Sequence, residues 1–356
     1  MHCATEPVIS ADSAISDERE TLLDVRDLRV AFPGPSGYRN VIDGLNLKIR
    51  RGEIVALVGE SGSGKSMTAL SLMRLLPAGA KIMSGRVMFR DHDVLGLSAT
   101  ELGHMRGGHI SMIFQQPQAM LDPTSRVGTQ VAESLWKHRK PERSSIAGRV
   151  ARLLADVGIP EPALRARCFS YELSGGMAQR VMMAAAMSGE PQLLIADEPT
   201  TALDVTVQAQ ILQLLDEQRR KRDLAVLLIT HDLSIVSALA DRVAVMYAGR
   251  IVEEGPARRI LKTPRHPYTR ALIQCSLLQT DSDGHLFSIP TGAARAQDIE
   301  KGCRFLPRCA TAATHGVSHH CTHDEPGLEA YDHHCSARCW AVEAPAPSVA
   351  HEARAS

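Results

Sequence analysis

The amino-acid sequence predicts an α/β fold: a mostly parallel sheet with a glycine-rich loop at one strand end and helices packed around it. Three observations predict it. The run Glu53-Ile54-Val55-Ala56-Leu57-Val58 is apolar and β-prone, and it leads into Gly59-Glu60-Ser61-Gly62-Ser63-Gly64-Lys65-Ser66. A helix-prone stretch from Met67 to Leu76 follows directly. Two further runs, Leu193–Ala196 and Ala225–Thr230, have strand length and are apolar almost throughout, as strands covered on both faces are.

The octet fits G-x-x-x-x-G-K-[ST] at every fixed position. Glycines let the backbone wrap closely, so that successive N–H groups point at phosphate oxygens. The helix N-terminus adds partial positive charge, Lys65 is placed to reach the β- and γ-phosphates, and the Ser66 hydroxyl is placed to bind Mg²⁺. The expected nucleotide contacts here are Gly59, Ser61, Gly62, Ser63, Gly64, Lys65, Ser66 and the first residue of the following helix, Met67. A flexible Gly/Ser turn is the bland alternative, and the flanking strand and helix argue against it.

Ahead of the loop, residues 22–58 alternate in strand fashion around the turn-rich Pro33-Gly34-Pro35-Ser36-Gly37, which predicts an antiparallel β-unit. Tyr38 sits on this turn and offers a π-face to an adenine ring; a half-exposed turn tyrosine is the competing reading. From Thr100 to Ala186 the periodicity becomes helical, interrupted by Ile110–Phe114, a strand running into Gln115. Leu173-Ser174-Gly175-Gly176-Met177 opens the helix Ala178–Ser188 with an N-capping serine and paired glycines, a second candidate anion site.

The strand Leu193–Ala196 ends in Asp197-Glu198, and Ala225–Thr230 ends in His231-Asp232. Carboxylates at a strand end beside a phosphate loop suit two tasks: Asp197 to hold Mg²⁺ and Glu198 to polarise the attacking water. Gln115 is placed to reach Mg²⁺ or that water, and His231 to touch the γ-phosphate.

Composition sets bounds. With 356 residues, 44% of them hydrophobic, the chain can bury a sizeable core and suggests about two domains. Lys plus Arg and Asp plus Glu are both 40, so net charge argues neither for nucleic acid nor for anionic lipid. No run reaches the ~18 apolar residues of a membrane helix. The first residues carry Asp12, Asp17, Glu18 and Glu20 without an apolar signal core and read as a disordered cytoplasmic tail. Five of the eight cysteines lie after residue 300, a clustering that in a cytosolic protein favours metal over disulfide. Four thiolates can hold an iron–sulfur cluster or tetrahedral Zn²⁺.

Taken together, these residues resemble the nucleotide-binding subunit of an ATP-binding-cassette (ABC) transporter, over about residues 22–275. The resemblance implies a P-loop NTPase cassette: a RecA-like core, an antiparallel β-subdomain and a helical subdomain at about 100–186. A small C-terminal Cys-rich extension follows, and residues 276–302, which hold Thr, Asp, Ser and Gly, read as a linker into its Cys-rich module. The expected division is a tail at 1–21, the ATPase domain at 22–255, the extension at 256–345 and a second disordered tail at 346–356. By resemblance, Gly59–Ser66 is the Walker A loop, Gln115 the Q-loop glutamine, and Ser174, Gly175 and Gly176 the signature motif that binds ATP held by the opposite subunit. Met177 replaces the usual glutamine, although Gln179 follows. Asp197 and Glu198 resemble the Walker B pair, Ala202-Leu203-Asp204 the D-loop and His231 the switch histidine, so an active ATPase is expected.

A narrower resemblance is carried by Ala196–Thr206, by Gly176–Met182, and by His266-Pro267-Tyr268-Thr269 after Arg250–Gly255. These look like the peptide-importer branch, its D-type ATPase. That branch implies two permeases, a second related ATPase, an extracytoplasmic substrate-binding protein and a location on the cytoplasmic face of the membrane; nucleic acid is not expected. The C-x₅-C of Cys303 and Cys309 resembles a tail that in some members holds a [4Fe–4S] cluster, best matched by Cys303, Cys309, Cys321 and Cys339. The Cys309–Cys321 spacing is longer than the branch usually shows. Cys335 is a fifth candidate, and His319, His320, His333 and His334 keep a mixed Cys/His zinc site open. An importer of nickel or another small solute, and a soluble cassette ATPase with a regulatory metal module, are the alternative functions.

Overall fold

The computed structural model describes residues 19–34, 37–139, 143–201, 204–277, 285–289, 296, 299 and 301–342. The expected tails at 1–18 and 346–356, most of the 276–302 linker, and Ala202 and Leu203 of the D-loop lie outside the described residues. Two sheets organise the rest.

The first sheet has strand order β2-β1-β4-β5, formed by β1 (Thr21–Gly34), β2 (Gly37–Arg50), β4 (Lys81–Phe89) and β5 (His92–Asp93), all antiparallel. It is the β-unit expected from the alternation before the glycine loop. Its inner face, with Leu23, Val30, Ile42, Leu45 and Val87, packs into one apolar cluster with Leu57 and Ile229 of the second sheet. β1 starts at Thr21, inside the segment expected to be tail, and Arg19 donates to the Gly52 carbonyl.

The second sheet has the order β11-β12-β10-β9-β3-β8-β7-β6. Its parallel part comprises β9 (Arg242–Tyr247), β3 (Ile54–Val58), β8 (Ala225–Ile229), β7 (Leu193–Asp197) and β6 (Ile110–Ile113). β3, β8 and β7 are buried at every position, which explains why their sequences run apolar instead of alternating. The sheet then continues antiparallel through β10 (Arg250–Pro256), β12 (Cys335–Ala337) and β11 (Glu329–Asp332).

That continuation departs from the sequence reading. Residues after 300 read as a module reached by a linker, yet β12 pairs with β10, Glu253 opposite Ala337 and Glu254 opposite Ser336. Two short strands carry too little apolar pattern to announce themselves, and they are completed only by the exposed edge of β10. Phe305, Cys335, Tyr247 and Tyr268 then share a core under the extension.

Helices cover the faces. Gly175–Ser188 is capped by Ser174, whose hydroxyl accepts from the Met177 N–H. Val205–Arg222 is capped by Asp204 and ends in four basic residues that complement the negative end of the helix dipole. Pro267–Ser276 has His266 at its N-cap: the fully buried imidazole accepts from Tyr268 N–H at 3.0 Å through Nδ1. Burial pushes the His266 pKa down to about 3, which keeps that nitrogen an acceptor. Gly189, after the signature helix, must be glycine because a Cβ there would lie 1.8 Å from the Gly107 carbonyl oxygen.

Candidate nucleotide-binding site

The C-terminal ends of β3, β7 and β8 bring the site residues to one sheet edge, and β6 delivers Gln115 beside them. This follows from topology, since ligands of open α/β sheets gather outside the carboxyl ends of the strands.

The glycine loop is tightly enclosed. Gly59 has φ 153° and Gly64 φ 112°. A Cβ at Gly59 would lie 2.1 Å from the Met246 carbonyl oxygen, and one at Gly64 would lie 2.8 Å from the Val41 carbonyl oxygen. The first octet glycine therefore meets the end of β9 and the third meets β2, so both sheets shape the loop. Lys65 is buried, and its ammonium donates to the carbonyls of Gly59 at 2.8 Å and Glu60 at 2.9 Å. Burial lowers its pKa, opposed by the carboxylates of Glu198, Asp197 and Glu60. The Ser63 hydroxyl is buried with no hydrogen-bond partner among the described residues. An orphaned donor inside a ring of backbone N–H groups fits a phosphate ligand.

Ser66 donates to Asp197 Oδ1 at 3.2 Å, which joins two of the three residues expected at Mg²⁺; the third, Gln115, turns its amide to Glu198. Burial raises the Asp197 pKa, with Glu198 adding to the rise and Ser66 opposing it. A hard cation with oxygen ligands fits this donor pair.

Glu198 is the residue most fully fixed. Its φ of 47° is left-handed, and its N–H donates to the Ile229 carbonyl at 2.9 Å. Oε2 accepts from Gln115 Nε2 at 2.7 Å and from Thr201 Oγ1 at 2.9 Å, while Oε1 lies 3.2 Å from His231 Nδ1. Three elements thus aim one carboxylate. A non-glycine residue held at positive φ marks a place where the surroundings over-determine the backbone.

The other expected contacts have different surroundings. Tyr38 is 48% exposed, at the tip of the β1–β2 hairpin, and the Lys81 ammonium lies 5.2 Å from its ring centroid. A cation already faces the ring expected to stack on adenine. Asp204 spends its carboxylate on capping its helix. Gln179, expected beside nucleotide, is buried, and its side chain donates to the Pro199 carbonyl. It braces the turn after Glu198, because the signature helix packs its inner face against that turn. Met67 continues the helix Lys65–Leu72 and is partly buried against the core between the sheets.

Several residues near the site were not singled out from sequence. Thr201, in the turn after Glu198, is one. Tyr268 is another, its hydroxyl accepting from the Glu60 N–H at 2.9 Å. Arg308 is a third, donating to both carboxylate oxygens of Glu60 at 3.0 Å. The last two come from more than 200 residues away, and no local pattern signals them.

The four best-matched cysteines meet. Cys303, Cys309, Cys321 and Cys339 line one cleft, with Phe305, Leu306 and Trp340 around them, whereas Cys335 lies apart against Gly255 and Ile260. Burial, reinforced by neighbouring thiols, pushes Cys321 up to about 12 and Cys339 up to about 11. Among the described residues, no three His, Cys, Asp or Glu side chains converge on a single-ion site. That geometry supports neither the expected iron–sulfur cluster nor the alternative zinc. His319 meets His320 edge-on and His323 at a tilt, and His320 lies tilted against Trp340.

Residues 42–201 match the family described as ABC transporter, and residues 252–315 match the family described as oligopeptide/dipeptide transporter, C-terminal region. The chain is 45% identical over 296 residues to the oligopeptide transport ATP-binding protein OppD of Escherichia coli (strain K12), covering 83% of this chain and 87% of that protein. It is also 45% identical over 292 residues to the dipeptide transport ATP-binding protein DppD of Bacillus subtilis (strain 168), covering 82% and 87% respectively. Among solved structures, cbiO1 of Clostridium perfringens, part of an ABC transporter complex, aligns with TM-score 0.59 and 29% identity over 68% of this chain and 92% of that one. A dimeric ATP-binding cassette in a post-hydrolysis state with ADP and Pi aligns with TM-score 0.59 and 26% identity, over 66% and 99%.

Proposed function

Because the chain belongs to the ABC transporter family of ATP-binding subunits, we propose that it hydrolyses ATP to power import of di- and oligopeptides across the cytoplasmic membrane. The observation that carries the reading is the Glu198 constellation beside an intact phosphate loop. The peptide cargo is supported by the oligopeptide and dipeptide transport proteins among the relatives and by the match of residues 252–315 to the oligopeptide/dipeptide C-terminal region. No specific observation favours nickel or another small solute.

In this reading Lys65, the loop N–H groups and the Ser63 hydroxyl grip the triphosphate. Ser66 and Asp197 would hold Mg²⁺, which offsets the charge of the phosphate oxygens. Glu198 orients and polarises the attacking water, while Gln115, Thr201 and His231 fix its carboxylate. Ser174, Gly175 and Gly176 face the ATP of a second cassette, so two subunits enclose two nucleotides. Closure of that pair drives two permeases, fed by an extracytoplasmic binding protein, with the cassettes peripheral on the cytoplasmic side. Among the described residues no helix is long and apolar enough to cross a membrane, which fits attachment through permeases.

The extension adds a metal centre to the proposal. Cys303, Cys309, Cys321 and Cys339 would hold a [4Fe–4S] cluster, whose ligands attach to four separate irons and so stand wider apart than the ligands of one zinc. The donor set suits it, four thiols around one cleft with Cys335 excluded. When bound, the cluster supplies the positive charge that ionises these thiols and cross-links the extension.

Affinity purification from gently solubilised native membranes tests the assignment. Two permeases and a second cassette should co-purify. Recovery of ribosomes, of repair proteins or of this chain alone would overturn the importer.

A further inference from the structure

Two arginines beside the cysteines of the extension reach back toward the phosphate loop, Arg308 directly and Arg304 through the segment that carries Gly249. Arg304, next to Cys303, donates to Asp43 Oδ2 at 2.5 Å and to the Ala248 carbonyl at 2.6 Å. The next residue, Gly249, donates its N–H to the Ser63 carbonyl within the loop at 2.8 Å. Arg308, next to Cys309, donates to both oxygens of Glu60, the second residue of the loop, at 3.0 Å each. Its guanidinium also lies 5.7 Å from the Tyr247 ring centroid and donates to the Tyr247 hydroxyl at 3.4 Å.

Glu60 puts a carboxylate on the phosphate loop. A carboxylate on a loop that must bind a polyanion repels its ligand unless it is neutralised. The loop residue's own N–H is already taken by the Tyr268 hydroxyl, so Glu60 is clamped at backbone and side chain by residues outside the cassette's nucleotide motifs. A planar guanidinium matching both carboxylate oxygens fixes position as well as charge.

We propose that Arg308 is a positioning residue for nucleotide binding, which neutralises Glu60 and holds the phosphate loop in its binding shape from within the Cys-rich extension. The extension is then part of the ATP site's support and not an appended module. The proposal rests on the ATPase reading above and deepens it.

The test is equilibrium binding of a fluorescent ATP analogue with Mg²⁺ to the full-length chain, with thermal melts recorded without nucleotide. Wild type is compared with Lys65→Ala, Arg308→Ala, Arg308→Lys, Glu60→Gln and the Arg308→Ala/Glu60→Gln double variant. Arg308→Ala should weaken binding roughly five- to tenfold. Arg308→Lys should keep most of the affinity, since it retains the charge and loses only the fork. In the Glu60→Gln background the Arg308→Ala penalty should shrink to within about twofold, a coupling that a merely structural role would not produce. An equal penalty in both backgrounds, or unchanged binding in Arg308→Ala, overturns the proposal. If Arg308→Ala does not fold, Arg308→Gln completes the same cycle. Wild-type binding no tighter than Lys65→Ala would instead overturn the ATPase reading, and this inference with it.

Discussion

Gln115 donates its side-chain amide to Glu198 at 2.7 Å, joining the end of β6 to the end of β7 across 83 positions of sequence. The same carboxylate takes Thr201 and faces His231. One acid therefore receives input from three connections, including the glutamine that family resemblance links to the membrane partner. Any movement of the 115–120 segment changes the aim of Glu198.

Glu198→Gln should abolish most turnover while sparing nucleotide binding. The amide keeps the size and loses the base, and a positioned general base contributes typically ~10²–10⁴-fold. Steady-state phosphate release together with retained nucleotide after gel filtration checks this. Normal turnover would remove Glu198 from its assigned role.

Asp197 links Mg²⁺ dependence to pH. Burial raises its pKa, so the protonated form persists to higher pH than in an exposed aspartate, and the metal must displace that proton. Apparent Mg²⁺ affinity in nucleotide binding should fall on mild acidification, and Asp197→Asn should remove most of this dependence. Titrating Mg²⁺ at several pH values measures it.

Asp43 stabilises the junction between the two sheets and the extension. It is buried and receives Arg29, Arg250 and Arg304 at 2.9, 2.5 and 2.5 Å. Burial alone would raise its pKa, but the three guanidinium groups outweigh burial and lower it. With a depressed folded pKa, the contribution is present above the unfolded value near ~3.8 and is lost as pH falls through the folded value. Asp43→Asn, which leaves the half-buried Arg250 and Arg304 without their carboxylate, should cost about 3 kcal/mol in chemical denaturation.

The cysteine assignment separates Cys335 from the other four. Anaerobically purified wild type should contain iron and acid-labile sulfide. Cys303→Ser, Cys309→Ser, Cys321→Ser and Cys339→Ser should lose most of both, and Cys335→Ser should keep them. Stoichiometric zinc with no iron would replace the cluster. Removing the bound group should also weaken nucleotide binding, because Arg304 and Arg308 flank two of the ligands.

Much of this was legible in the sequence because the chemistry of the site is local. A strand, a turn and a helix start suffice to define Gly59–Ser66, and Asp197-Glu198 and His231 each end an apolar run whose burial fixes their direction. The β-unit before the loop followed from alternation. What was hidden depends on distant partners. The pairing of β12 with β10 needs an edge strand that Cys335-Ser336-Ala337 cannot announce, so the extension read as a separate module. Gln179 follows the signature glycines in sequence, but its partner, the Pro199 carbonyl, lies in the turn after Glu198. Arg308 and Tyr268 act on Glu60 only once the C-terminal segment is folded over the loop.

ATP-dependent accumulation of labelled di- and oligopeptides tests the central claim most directly. The co-purified permeases and binding protein would be placed in proteoliposomes with either wild type or Glu198→Gln. The account predicts accumulation with wild type and ATP, and only background with Glu198→Gln. Peptide uptake unaffected by Glu198→Gln, or none with an active wild-type ATPase, would contradict it.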